Sequence, residues 1–586
     1  MPCCSTLKPP DKTMCERKIH LPQGNLSSVG YATGMSLVLT LGYTYVIAEL
    51  CLLARFPESP YILIVGFIGA SITLLITCTR RCFIRSIISS LVIWIAGIWL
   101  GMNTCDYSWD GIGYHQVTIY ALADGWNPIW NDYYEGSLSL WTIHYAKALE
   151  LIAACIFRLT GEIEAGKALN IVFFVAVFAI SLGFIKKNKI NKKRGLSDCN
   201  AVIFALLVAG NPVALCQLMT YYIDYALYYY VVLSIIFSVG ICKGDNNVYL
   251  NIIGLCLVIL LAIGTKFNHF FIEGIVMLAV MGWLMISRQY YNARKILIIS
   301  FLSALVGTFI LSFHPYLTNW IYFGNPFYPL MGDDAVNIMD CNTPPLYWGH
   351  NRFETFFMSI YGPYSIPSFD SRISGFGPFF KVLLTIGLLW IFYSEITQKQ
   401  LSVIGYITIM ALISCFFFEQ SWWARYNPQI WIIIPTAYYS IISRISCVMR
   451  GRLLAKSIIS IVGLINIFVV LLQPTLDSFR LYTYRNCVFR VLAGKEVKAH
   501  VGKIWEYKLK KEGIIPLVVG ADEIPEEYRT PILHLPEYEI SYNWLETTPE
   551  ERENIQSMYE NSSVYVIEKR AISVGKAVIV YIKQLI

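Results

Sequence analysis

From residue 30 to residue 474 the chain alternates long apolar runs with short polar breaks. A bilayer core is crossed by a helix of about 20 apolar residues. Runs of roughly that length lie near 30–54, 60–78, 87–102, 165–185, 200–219, 221–242, 248–264, 266–286, 296–313, 378–396, 401–419, 430–445 and 457–474. The pattern predicts a polytopic α-helical membrane protein with about thirteen transmembrane helices.

Lysine and arginine in the short connections set the orientation. Arg80, Arg81 and Arg85 follow the second run, and Lys186, Lys187, Lys189, Lys192, Lys193 and Arg194 the fourth. Arg288, Arg294 and Lys295 follow the eighth, and Arg444, Arg450, Arg452 and Lys456 the twelfth. All four clusters come after even-numbered runs, which puts the N-terminus in the cytoplasm and the C-terminus outside. Three parts follow: a cytoplasmic tail over 1–29, a membrane domain over 30–474 with external loops at 103–164 and 314–377, and an external α/β domain over 475–586. In the first loop, Ala146 to Arg158 is too short and too charged to span, and reads as a helix lying in the membrane interface. The second loop, rich in Pro, Gly, Tyr and Phe, has the length of a functional loop or lid. In the tail, 514–520, 563–567 and 577–582 read as short strands.

Composition agrees. Of 586 residues, 56% are hydrophobic and 15% charged, against about 25% charged in soluble chains. The net charge of +7 matters less than where it sits, and no nucleic-acid partner is expected. The segment before residue 26 lacks the apolar core of a cleaved signal peptide. The sixteen cysteines are scattered, mostly in apolar runs, without CxxC pairs or Cys/His ligand spacing, so no metal site is read from them. No internal repeat of the kind common in transporters is present.

The polar exceptions carry the chemistry. Cys105-Asp106-Tyr107-Ser108-Trp109-Asp110-Gly111-Ile112-Gly113-Tyr114-His115 places two carboxylates and an imidazole just outside the third run. Glu162 and Glu164 precede the fourth run, and Asp224 opens the sixth. Lys266 joins the seventh and eighth, and Arg425 lies in a short external turn. Lys266 and Arg425 run against the positive-inside bias, and none of these charges is read as lying mid-helix, where a transport path would put it. Carboxylates with a lysine and an arginine at one membrane depth suit a lipid-linked phosphate. The cations would hold the phosphate, and a carboxylate would accept a proton from an attacking hydroxyl. Plainer roles stand beside these. Asp110 could cap a helix over about 111–124, His115 could be a satisfied interfacial histidine, Lys266 and Arg425 could snorkel, and Glu164 with Lys167 could be an ordinary helical pair. The Tyr and Trp clusters could be an interfacial belt.

Asp110-Gly-Ile-Gly-Tyr114-His115, Gly161-Glu-Ile-Glu164-Ala-Gly-Lys167, Asp224 at a helix start, Thr265-Lys266 and Arg425-Tyr426 with Pro428 resemble, in order, motifs of the GT-C superfamily of membrane glycosyltransferases. The resemblance covers about 87–445 and points to the branch of protein O-mannosyltransferases and lipid A aminoarabinose transferases. In the second motif lysine stands where the family has arginine, and two helices precede the family core. The resemblance implies a GT-C-like fold and a sugar donor on a polyprenyl phosphate. A lipid, glycan or protein hydroxyl would attack the anomeric carbon with inversion. It implies Asp110 as the catalytic carboxylate with Asp106 as its substitute, and Lys266 and Arg425 on the donor phosphate. Glu164, Asp224, Tyr114, His115 and Tyr426 would contact substrate. It leaves a divalent metal (Mg or Mn) open and implies no other cofactor. The expected setting is a bacterial inner membrane with the site on the periplasmic face. Two rivals are a polysaccharide polymerase or ligase of another fold, which would not need Asp110, and a lipid or glycan transporter.

Overall fold

The computed structural model describes residues 28–57, 59–130, 138–187, 198–244, 248–332, 335–336, 342–362, 369–372, 375–398, 401–443, 449–534, 543–566 and 569. The membrane part opens with α1 (Val29–Leu53), α2 (Tyr61–Thr77) and α3 (Arg80–Met102). The first long loop carries α4 (Gln116–Ala123), α5 (Leu140–His144) and α6 (Ala148–Thr160). There follow α7 (Ala168–Lys187), α8 (Asp198–Ala209), α9 (Pro212–Cys216), α10 (Tyr225–Lys243), α11 (Val248–Thr265), α12 (Phe267–Ile286) and α13 (Tyr290–Val306). The second loop holds α14 (Thr318–Phe323) and α15 (Arg352–Tyr361). After it come α16 (Phe380–Gln398), α17 (Val403–Ser414), α18 (Ile433–Ser443) and α19 (Met449–Leu492).

Among the described residues nine helices are long and apolar enough to cross a membrane. Their outer faces confirm the setting. Ile64, Ile68, Ile72 and Leu75 on α2, and Ile84, Ile88, Leu91 and Ile95 on α3, recur at three- and four-residue spacing and are all exposed. Apolar stripes of that extent belong against lipid. By contrast α1 is buried along most of its length, packed by α2, α3, α7 and α11.

Four of the thirteen anticipated runs fold shorter than a span. Run 60–78 gives the 17-residue α2. Run 200–219 breaks at Gly210, because Asn211 caps a new helix (its Oδ1 accepts from Ala214 N–H at 3.2 Å) and Pro212 starts it. Runs 401–419 and 430–445 give the 12-residue α17 and the 11-residue α18, the latter preceded by a 3₁₀ turn over Pro428–Ile432. The last run is longer than expected. α19 has 44 residues and continues through Pro474, so the domain boundary anticipated at 474 lies inside a helix and moves to about Leu492. The helix over α6 was anticipated, but not its place. Ala148 to Phe157 are all buried, against α1, α2, α4 and α11, rather than lying in the interface.

Beyond α19 come β1 (Glu496–His500), α20 (Lys503–Lys511), β2 (Ile515–Val518), β3 (Arg529–Pro531), β4 (Trp544–Glu546) and α21 (Pro549–Glu560). The sheet order is β2-β1-β4-β3, with β1 and β2 parallel across α20 and the other pairs antiparallel. β2 matches the run at 514–520, while β1, β3 and β4, of three to five residues, were not anticipated. The run at 563–567 is helical over the residues described, so it is not a strand. The run at 577–582, the tail up to residue 27 and the basic residues 189–194 and 444 lie outside the described residues.

At Gly34 α1 crosses α7 so closely that a Cβ would stand 2.6 Å from Ile180 Cγ1 and 2.8 Å from the Ala176 carbonyl oxygen. Gly34→Val should cost about 1–3 kcal/mol through overpacking, seen as a lower melting temperature in detergent. An unchanged melting temperature would contradict this crossing.

Candidate functional site

The acidic loop leaves α3 as extended chain. Ser108, not Asp110, starts the next helix: its Oγ accepts from Gly111 N–H at 3.2 Å and its carbonyl from Ile112 N–H at 2.9 Å. Asp110 lies in the first turn without capping it. A π-helical turn over Gly111–His115 then leads into α4. Glycine is required at 111, where a Cβ would collide with the Asp106 carboxylate and Ser108 Oγ.

Freed from capping, Asp110 reaches a distant partner. Arg425 Nη1 donates to Asp110 Oδ2 at 2.9 Å, from a 3₁₀ turn between α17 and α18. The same Nη1 lies 3.6 Å from Asp224 Oδ2, and Arg425 Nε lies 3.7 Å from Asp370 Oδ1. The guanidinium is sandwiched by rings, its carbon 4.2 Å from the Trp423 centroid and 4.8 Å from that of Tyr222. Lys266, extended between α11 and α12, donates to Asp224 Oδ1 at 2.6 Å, with its ammonium 5.3 Å from the Tyr426 ring. Tyr114 packs edge-on to Tyr145 at 6.0 Å.

Thus Asp110, Asp224, Lys266, Arg425 and Tyr426 converge at one end of the helical bundle, with Tyr114 beside them. Asp370 joins them and was not singled out from sequence. Its only signal was its setting, two residues before Arg372 in the second loop. Arg372 pairs with Asp370, and Trp423 Nε1 donates to the Asp370 carbonyl at 2.6 Å, locking that loop onto the Arg425 turn.

Charge balance sets the ionisation of these groups. Burial resists ionisation of Asp224, but Lys266 and then Arg425 outweigh it, holding its carboxyl below the ordinary range. For Asp370 burial wins over Arg425 and Arg372, and its carboxyl is raised. Burial, then the Asp110 charge, push the Tyr114 phenol well up. Asp224 Oδ2, Asp370 Oδ1 and Arg425 Nε are buried without a hydrogen-bond partner. The site therefore keeps polar capacity for a charged ligand. Mg or Mn would need these same carboxylates. Arg425 already stands among all three, so the set fits a metal poorly.

Three other candidates lie apart from Arg425. Asp106 is fully buried and accepts four hydrogen bonds: Ser108 N–H (2.8 Å) and Oγ (2.7 Å) on Oδ1, and Tyr221 N–H (2.9 Å) and Gln116 Nε2 (3.4 Å) on Oδ2. Burial and the Glu164 charge raise its carboxyl. Glu164 does form the helical pair with Lys167 (2.8 Å), and it also meets Lys508 and Arg485. His115 Nδ1 bonds Glu150 at 2.6 Å, leaving Nε2 unpartnered. One sequence reading is corrected. A carboxylate does lie within a span, since Glu273 on α12 is buried and its Oε1 accepts from Ser234 of α10 at 2.5 Å, with buried His269 one turn nearer the site. It was missed because a single glutamate scarcely interrupts the apolar run.

No protein-family model matches the chain, and no curated protein matches it.

Lys266→Met would strand the buried Asp224 with Arg425 alone, at a cost of about 3–5 kcal/mol. Asp224→Asn combined with Lys266→Met should recover part of that, measured by melting temperature. Because the folded chain lowers the Asp224 carboxyl, its contribution is complete above the ordinary carboxylate value and is lost as pH falls through the depressed one. Below about pH 4 the wild type should lose melting temperature faster than the double variant.

Proposed function

We propose that this chain is a multi-pass glycosyltransferase of GT-C type that moves a sugar from a polyprenyl-phosphate donor to a hydroxyl of a lipid, glycan or protein acceptor, with inversion, at the periplasmic face of a bacterial inner membrane. The observation that carries this is the meeting of Asp110, Asp224, Asp370, Lys266 and Arg425, drawn from five separate connections to one bundle end. Two cations against carboxylates at a membrane rim suit a phosphate on a lipid carrier. A groove of about 420 Å³ between α10, α12 and α17 adds support. It is lined by Val231, Ile235, Ala279 and Met410, and reaches Gln429, four residues beyond Arg425. Such a groove suits a hydrocarbon chain.

In this reading the donor phosphate takes over the Arg425 contact that Asp110 holds. Asp110 Oδ2 is thereby released to accept the proton of the acceptor hydroxyl as its oxygen attacks the anomeric carbon. The bond between that carbon and the phosphate oxygen breaks, and the carrier leaves as polyprenyl phosphate. Lys266 and Arg425 stabilise the charge that grows on it. Tyr114, half-buried beside them, supplies a face for the sugar.

Transport is the second reading, favoured by one observation. Glu273, Ser234 and His269 lie within the α10–α12 pair, where a coupled proton path would run.

The test uses purified full-length protein with a panel of polyprenyl-phosphate sugars and a membrane-extract acceptor pool, scoring release of free carrier. Asp110→Asn should lower turnover by about 10²–10⁴-fold while Glu273→Gln leaves it within about threefold. Equal turnover by wild type and Asp110→Asn would refute the assignment. Uptake abolished by Glu273→Gln, with no carrier release, would favour transport.

A further inference from the structure

The C-terminal domain sends one side chain into the charged frame behind the site. Lys508, on α20, is buried, and its ammonium donates to Glu164 Oε1 and to Gln116 Oε1, both at 2.8 Å. Glu164 Oε2 in turn accepts from the Asp106 backbone N–H at 3.1 Å. Gln116 Nε2 donates to Asp106 Oδ2 at 3.4 Å. Both routes end on Asp106. Its other oxygen holds Ser108, the residue that starts the turn carrying Asp110.

Neutralising Glu164 does not require Lys508. Lys167 stands 2.8 Å and Arg485 3.7 Å from the same carboxylate. What Lys508 adds is direction. An amide has one accepting and one donating end. With the ammonium on Gln116 Oε1, the NH₂ group must face the Asp106 carboxylate. Without it, the amide can turn over and set its oxygen against that carboxylate.

We propose that Lys508 is a positioning residue for the Asp110 loop, acting through Gln116, Glu164 and Asp106, so that docking of the C-terminal domain is a condition of the site's geometry. The kinetic part of this rests on the glycosyl-transfer reading; the geometric part does not.

Cys105 separates the two. It is a free, fully buried thiol next to Asp106, with Sγ 3.9 Å from Glu164 Oε1. Full-length wild type, Lys508→Met, Lys508→Arg and Gln116→Leu are treated with N-ethylmaleimide, and labelling of each cysteine peptide is followed by mass spectrometry. The exposed Cys199 serves as the control. Lys508→Met and Gln116→Leu should label Cys105 at least about tenfold faster, while Lys508→Arg keeps it protected. With an active donor, kcat of Lys508→Met should fall roughly ten- to a hundredfold with KM for the donor within about twofold. A protected Cys105 with wild-type kcat in folded Lys508→Met overturns the proposal. If every buried cysteine opens, the variant has unfolded and Gln116→Leu decides: selective opening of Cys105 supports the proposal and protection overturns it. Selective opening with no turnover by the wild type on any donor upholds the positioning role and refutes glycosyl transfer.

Discussion

A single buried guanidinium organises the site. Arginine cannot shed its proton in a protein, so Arg425 must be met by negative charge wherever the fold buries it. Asp110, Asp224 and Asp370 meet it, and each belongs to a different connection of the bundle. The α3–α4 loop, the start of α10, the second long loop and the α17–α18 turn are therefore held in register by one charge. Trp423 and Tyr222 cover its faces and keep water from weakening those contacts. Lys266 repeats the logic on Asp224, adding the α11–α12 junction to the same knot.

The two aspartates of the acidic loop show how neighbours in sequence take different work. Asp106 spends four hydrogen bonds on the frame and none on a cation. Asp110, four residues on, has one strong partner and remains partly exposed, its side chain at 24%. The first carboxylate shapes the loop so that the second can be presented by it. That division explains why the polar residues form two clusters, one around Arg425 and one around Glu164, joined by the short stretches from Asp106 to Asp110 and from Tyr221 to Asp224.

Much of this was legible in the sequence. Apolar runs announced the helices because a span needs length and little else, and every one of the thirteen runs contains helix. The charges that run against the loop bias, Lys266 and Arg425, are the cations that meet Asp224 and Asp110. Helix ends were harder, since Gly210-Asn211-Pro212 breaks an apolar run through backbone geometry that hydropathy does not register. Asp370, Lys508 and Arg485 were invisible for another reason. The contacts that give them their place, Asp370 with Arg425 and both Lys508 and Arg485 with Glu164, join residues tens to hundreds apart, and pairing of that kind leaves no local pattern. The sequence offered Asp110 as the cap of a helix over about 111–124, but the residue that starts that helix is Ser108, whose hydroxyl and carbonyl accept from Gly111 and Ile112.

α19 runs for 44 residues, through Pro474. At 1.5 Å per residue it is about 66 Å long, roughly twice the thickness of a hydrocarbon core. Ser478, far along it, accepts from the Cys105 backbone N–H at 3.2 Å and donates its hydroxyl to the Cys105 carbonyl at 2.6 Å. A tilt of about 5° about the near end would move a point at that distance by about 4 Å, more than a hydrogen bond tolerates. Helices answer changes in bilayer thickness by tilting. Where α19 lies therefore bears directly on where the acidic loop begins, through the two Ser478–Cys105 hydrogen bonds.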